Sequence, residues 1–138
     1  MSSLALQYFL DIKMKKRVLI VEDEQTAQKF FAKVVDNAGA ESHVVSRGDE
    51  VIEYLKENSD IGLILLDLAL PDISGLQVLS NLKKLHNKVP VAVLSANDDE
   101  DLISEAKKLG AVEFFTKGKP DPKYFVKIFD LIHKSCVS

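Results

Sequence analysis

Five times along this chain, a short run of branched apolar residues gives way to a segment whose apolar residues recur at helical spacing. The runs are Arg17–Val21, Ser42–Ser46, Ile61–Leu66, Val91–Leu94 and Val112–Phe115. The periodic segments between and after them are Gln25–Ala38, Asp49–Glu57, Ser74–Leu85, Asp98–Leu109 and Tyr124–Cys136. A strand that is apolar on both faces must be covered on both, and a helix after each strand supplies the crossover that parallel pairing requires. The pattern therefore predicts an α/β domain with a parallel, doubly wound sheet. Ser42–Ser46 is the weakest run and belongs at an edge. The periodicity turns Ala27, Phe30, Phe31, Val34 and Val35 of the first helix inward, with Leu76, Leu79, Leu82 and Leu85 of the third and Phe125, Ile128, Phe129 and Ile132 of the last.

A chain of 138 residues has room for one well-cored domain. Its net charge of −3 argues against a nucleic-acid surface, which needs a basic face. The single cysteine, Cys136, cannot close an internal disulfide and suits a reducing, cytoplasmic compartment. No apolar run approaches the roughly 20 residues that span a bilayer. Residues 1–14 read as an N-terminal extension and residues 15–138 as the domain. In the extension Leu4, Tyr8 and Ile12 fall on one helical stripe, which suits either a frayed terminus or a docking or self-association helix.

In open parallel sheets, ligands sit beyond the carboxyl ends of the strands where strand order reverses. The residues delivered there are Glu22, Asp23 and Glu24, then Asp67, then Ser95, Ala96 and Asn97, then Thr116 and Lys117. The third run, "IGLILLDLALPDISG", is the sharpest case, because a buried strand ends on an aspartate. Taken singly each residue has an ordinary reading. Asp23 suits a helix N-cap, Asp67 a loop acid before Pro71-Asp72, Ser95 a turn, Lys117 a solvated lysine and Phe114 the core. Taken together, two unit charges about 4 Å apart repel by roughly 4 kcal/mol at an effective dielectric of 20, so converging acids need a cation. A hard divalent ion with oxygen ligands fits, and Mg²⁺ commonly shares carboxylates with a phosphate. With a hydroxyl and an ammonium beside it, such a pocket suits a phosphoryl group, and a carboxylate can itself be the acceptor.

Four stretches, "VLIVEDE", "LILLDLALPDISG", "VAVLSAN" and "GAVEFFTK", occur in order at these strand ends. With them the chain from about Lys15 onward resembles the receiver domain of two-component response regulators, of the chemotaxis (CheY-like) type. That resemblance implies a flavodoxin-like (βα)5 fold with strand order 2-1-3-4-5. It implies Asp67 as phosphoacceptor, and Mg²⁺ held by Asp23, Asp67 and the Ala69 backbone carbonyl, with Glu22 acting through water. Ser95 and Lys117 would hold phosphoryl oxygens, and Phe114 would be the aromatic switch partner of Ser95. The family usually has proline after the lysine, often with a cis bond; here Gly118 follows, then Lys119-Pro120. Either a trans bond with a rearranged loop or a cis bond held by the fold is expected, with Lys119 as a second candidate lysine. Ser74-Gly75 stands where the family has Asp-Gly, and Ser74 is placed to cap the next helix. Asp98–Asp101 reads as an acidic helix N-terminus and not a metal site.

The expected function is that of a single-domain response regulator. It would take a phosphoryl group from a sensor histidine kinase or a histidine phosphotransfer protein, then switch a protein-binding surface on the fourth helix, fifth strand and fifth helix. The stretch after Lys117 suits one helix and not a DNA-binding output domain. Output would then pass to a downstream protein or onward in a phosphorelay, with a second copy of the chain, met through that face or the extension, as a further candidate partner. No enzymatic role is expected beyond self-phosphorylation and auto-dephosphorylation. A flavodoxin-like cofactor binder would need a glycine- or hydroxyl-rich loop where "EDEQTAQ" stands, and an aspartyl-phosphate phosphatase would need a second aspartate where Ala69 stands. A pseudo-receiver that only binds partners is the remaining alternative.

Overall fold

A computed structural model of the chain describes residues 2–7, 15–118 and 121–137. Tyr8 and Ile12 of the N-terminal stripe, and Lys119, lie outside the described residues. Residues 3–7 form one helical turn, capped where Ser2 Oγ accepts from the Ala5 N–H, and Leu4 on it is exposed. No described helix is long and apolar enough to cross a membrane.

Strands β1 (Arg17–Val21), β2 (Glu41–Val45), β3 (Ile61–Asp67), β4 (Val91–Ser95) and β5 (Glu113–Thr116) form one sheet. All pairings are parallel, and the order is β2-β1-β3-β4-β5, as the resemblance implied. Helices α1 (Gln25–Asn37), α2 (Glu50–Glu57), α3 (Gly75–Lys84), α4 (Glu100–Lys108) and α5 (Pro122–Ile132) alternate with the strands. The period of two along each strand sorts the core into two layers. Val18, Ile20, Leu63, Leu65, Ala92, Leu94 and Phe115 pack with Phe31, Val34 and Val35 of α1 and with Ile128 and Ile132 of α5. Leu19, Val21, Ile64, Leu66 and Val93 pack on the other side with Val51, Val78, Leu79, Leu82 and Ala106 of α2, α3 and α4. Each large aliphatic side chain so buried contributes roughly 1.5–3 kcal/mol, and all seven residues of β3 are buried.

Several expectations shift. Leu85 is 56% exposed and Phe30 41% exposed, although the helical period put both inward. In α3 the inward place is taken by Val78, and α3 stops at Lys84. Val112 is exposed and precedes β5, which runs on to Thr116. The acidic stretch does start a helix, but Asp99 is its cap and accepts from the Asp101 N–H. The last helix gives way at His133 to a wider π turn, His133–Val137, which buries Cys136 against the sheet.

Two polar ties hold the ends of the sheet. At the amino end Arg17 makes a two-bond fork to Asp60, Nε–Oδ2 2.6 Å and Nη2–Oδ1 2.9 Å. At the carboxyl end Asp72, in the loop after β3, accepts from the N–H groups of Gly48 (2.9 Å) and Asp49 (2.8 Å), joining that loop to the one after β2. Desolvation alone would raise the Asp72 pKa, but the N–H groups of Gly48, Asp49, Ile73 and Asp72 outweigh it and lower it from 3.8 to about 2. A depressed carboxyl pKa stabilises the fold above 3.8 and loses that contribution as pH falls toward 2. Asp72→Asn is expected to be less stable than wild type at pH 7 in urea unfolding. The gap should narrow below pH 4, with faster amide exchange at Gly48 and Asp49.

Candidate functional site

The strand order does the first part of the positioning. β1 lies between β2 and β3, so the chain winds one way to β2 and the other way through β3, β4 and β5. Val21 is in register with Leu66, which sets the next residues, Glu22 and Asp67, side by side at the reversal point. Asp67 pairs with Leu94, and Ser95 with Thr116, so all four strand ends open on the same crevice.

Among the described residues the interior is polar only there. The buried polar or charged ones among them are Glu22, Asp67 and Ser95, at 0%, 3% and 5% exposure. Carboxylate oxygens of Glu22, Asp23 and Asp67 lie within 4.8 Å of one another, the one described group of acids, histidines or cysteines able to hold a metal ion. Three carboxylates are hard oxygen donors of the kind Mg²⁺, Mn²⁺ or Ca²⁺ takes, so the donor set fits a divalent cation.

Lys117 meets this cluster from β5. Its Nζ lies 2.8 Å from Glu22 Oε2 and 3.5 Å from Asp67 Oδ2. The other Glu22 oxygen, Oε1, accepts from the Glu24 N–H at 3.2 Å, so the Glu22 carboxylate is engaged on both sides. Burial first, and then the charge of Asp67, push the Glu22 carboxyl above its usual value against the pull of Lys117. Burial works against the Lys117 ammonium, yet its bond to Glu22 and the charges of Asp67, Glu22 and Glu24 outweigh that and hold its pKa up. The lysine therefore remains a cation at neutral pH.

The remaining expected residues fall in or around the crevice. Asp67 Oδ1 accepts from the Ala69 N–H at 3.2 Å, and Ser95 Oγ from the Asn97 N–H at 3.1 Å. Phe114 lies beside Val93 in register, half-buried on the α2–α3–α4 side of the sheet. Asp23 is not a helix cap: that position is Glu24, whose side chain makes no capping bond. Ser74 does cap α3, accepting from the Gln77 N–H at 3.2 Å. The Lys117–Gly118 bond is trans, and Gly118 turns the loop with φ +79°. That angle is open to glycine and closed to proline, so glycine replaces the family's proline by a different turn and the lysine still reaches the acids.

Three contributors escaped the sequence reading. Gly75 packs so tightly under the site that a Cβ there would lie 2.6 Å from the Asp67 carbonyl oxygen. Its pairing with Ser74 was the available signal. Gln28 Nε2 donates to the Glu22 carbonyl at 2.6 Å, and Asp72 ties down the loop that follows Asp67. A cleft of about 500 Å³ opens beside Lys117, walled by Glu24, Phe30, Phe31, Ala96 and Tyr124.

The family model described as the response regulator receiver domain matches residues 18–128. The chain belongs to the receiver family of two-component response regulators. This receiver is 29% identical to sporulation initiation phosphotransferase F of Bacillus subtilis (strain 168), over 75% of this chain and 83% of that protein. It is 33% identical to transcriptional regulatory protein SrrA of Staphylococcus aureus over 75% of this chain, but spans only 42% of that regulator. A signal receiver domain from Vibrio parahaemolyticus superposes with TM-score 0.77 at 26% identity, covering 88% of this chain and 92% of that one. The phosphorylated cyanobacterial phytochrome response regulator RcpA gives 0.69 at 27%, covering 88% and 94%.

The charge cluster costs the receiver stability when no cation is present. With carboxylate oxygens within 4.8 Å and an effective dielectric of 20, a Glu22–Asp67 pair repels by at least roughly 3.5 kcal/mol, of which Lys117 offsets a part. Asp67→Asn in EDTA is therefore expected to unfold at higher urea than wild type, by about 1 kcal/mol. An equal or lower midpoint would show that repulsion is not what limits this end of the sheet.

Proposed function

We propose that Asp67 accepts a phosphoryl group from the phosphohistidine of a sensor kinase or a histidine phosphotransfer protein. The observation that carries this reading is the meeting of three carboxylates within 4.8 Å, with the Lys117 ammonium on two of them. Asp23, Asp67 and the Ala69 carbonyl would hold Mg²⁺, with Glu22 acting through water. When bound, Mg²⁺ supplies positive charge that offsets the acids and the incoming phosphoryl oxygens.

The protein's own part is positioning. β3 fixes Asp67 from behind and the Ala69 N–H orients one carboxylate oxygen, so the nucleophile is presented in a set direction. The phosphorus–nitrogen bond of the donor breaks as a phosphorus–oxygen bond to Asp67 forms, and the imidazole leaves. Lys117 exchanges its carboxylate partner for a phosphoryl oxygen, and the Ser95 hydroxyl takes another. RcpA, a relative at 27% identity, was solved phosphorylated, which supports the same chemistry here.

A phosphorylated Asp67 adds roughly −1.5 to −2 charge, by analogy with other phosphorylated side chains. Ser95 moves toward it, and Phe114 turns into the space behind Ser95, repacking the α4–β5–α5 face for a downstream protein or a second copy. Moving such a two-state element from 1:99 to 99:1 takes about 5.5 kcal/mol of differential stabilisation. Relay service is the second reading, favoured because the chain spans 83% of a relative named as a phosphotransferase.

Incubation with acetyl phosphate and Mg²⁺ should add one phosphoryl group by intact mass to wild type, and none with EDTA or in Asp67→Asn. An unmodified wild type, or an adduct that survives in the variant, defeats the assignment. Transfer of that group to a histidine phosphotransfer protein would favour the relay reading over the surface switch.

A further inference from the structure

We propose that Gln28 is the positioning residue of the acidic pair: its side-chain amide fixes the Glu22–Asp23 peptide, and so aims the Asp23 carboxylate at Asp67. The inference rests on the reading that this cluster binds Mg²⁺. The three acids are held very differently. Glu22 is pinned by Lys117 and by the Glu24 N–H, and Asp67 by its strand and the Ala69 N–H. The Asp23 carboxylate is exposed, and no hydrogen bond or ion pair among the described residues holds it. Its direction is therefore set by the backbone that carries it.

That backbone leaves the sheet at Glu22, whose N–H makes the last bond to β2, to the Val45 carbonyl at 3.0 Å. The Glu22 carbonyl, one atom before the Asp23 nitrogen, accepts from Gln28 Nε2 at 2.6 Å. The same amide reaches Ser46 Oγ at 3.5 Å in the loop after β2. Gln28 is itself anchored through its N–H to the Glu24 carbonyl at 2.9 Å. The residue is thus a clasp across Glu22–Asp23–Glu24, closed by backbone at one end and side chain at the other. Groups that orient metal ligands without touching the metal typically change affinity by about 10–100-fold when removed.

The test uses Mg²⁺ alone as probe, titrated into the full chain and followed by calorimetry and amide NMR shifts. Gln28→Met keeps the length and the helix propensity but has no donor, and should bind Mg²⁺ about 10–100-fold more weakly than wild type. A role limited to holding the helix would lower stability in EDTA and leave the Mg²⁺ affinity unchanged, which overturns the proposal. Gln28→Ala serves in the same way if the methionine variant does not fold. Binding by wild type with equal binding by the variants sinks the clasp alone; no binding by wild type sinks the underlying reading as well.

Discussion

Two carboxylates buried side by side, with one ammonium between them, are the constraint around which this receiver is organised. Glu22 and Asp67 stand next to each other because β1 and β3 are neighbours in the sheet, in a register that aligns their last residues. Water would solvate such a pair cheaply, whereas an apolar sheet end does not. Lys117, brought from the other side of β4, is what makes the arrangement tolerable. Strand order, the length of β5 and the turn at Gly118 all bear on whether that lysine arrives.

A pocket crowded with carboxylates favours a divalent cation, so binding one would relieve a cost already present in the fold. The apolar layers on both faces of β3 keep Asp67 from relaxing away from its neighbours. Gly75 and Asp72 hold the following loop close from two directions, one by having no side chain and the other by taking N–H groups from a neighbouring loop. Stability is given up at the carboxyl end of the sheet, and the core beneath supplies enough to bear it.

Much of this was legible along the chain, because the features concerned are local. Continuous apolar runs mark β1, β3 and β4, and the polar residues at or just past their carboxyl ends are the ones that meet in the crevice. Periodicity was less exact about breadth. Leu85 and Phe30 keep helical spacing with core residues yet lie exposed, because how wide a stripe is covered depends on the neighbouring helices. Polar clasps were invisible for a related reason: Gln28 and Asp72 resemble any surface glutamine and loop aspartate until their partners, Glu22 and Gly48, are brought up against them.

The sequence by itself determined the α/β class, the alternation of strands and helices, and which carboxylates, hydroxyl and ammonium emerge at strand ends, since each follows from short-range pattern. Only the tertiary structure decided that Lys117 bonds Glu22 more closely than Asp67, that Gly118 turns through a left-handed trans link, and that Gln28 grips the Glu22 carbonyl. Those outcomes depend on distances of a few ångströms between residues far apart along the chain. Such distances are set by packing and register, and no local pattern encodes them.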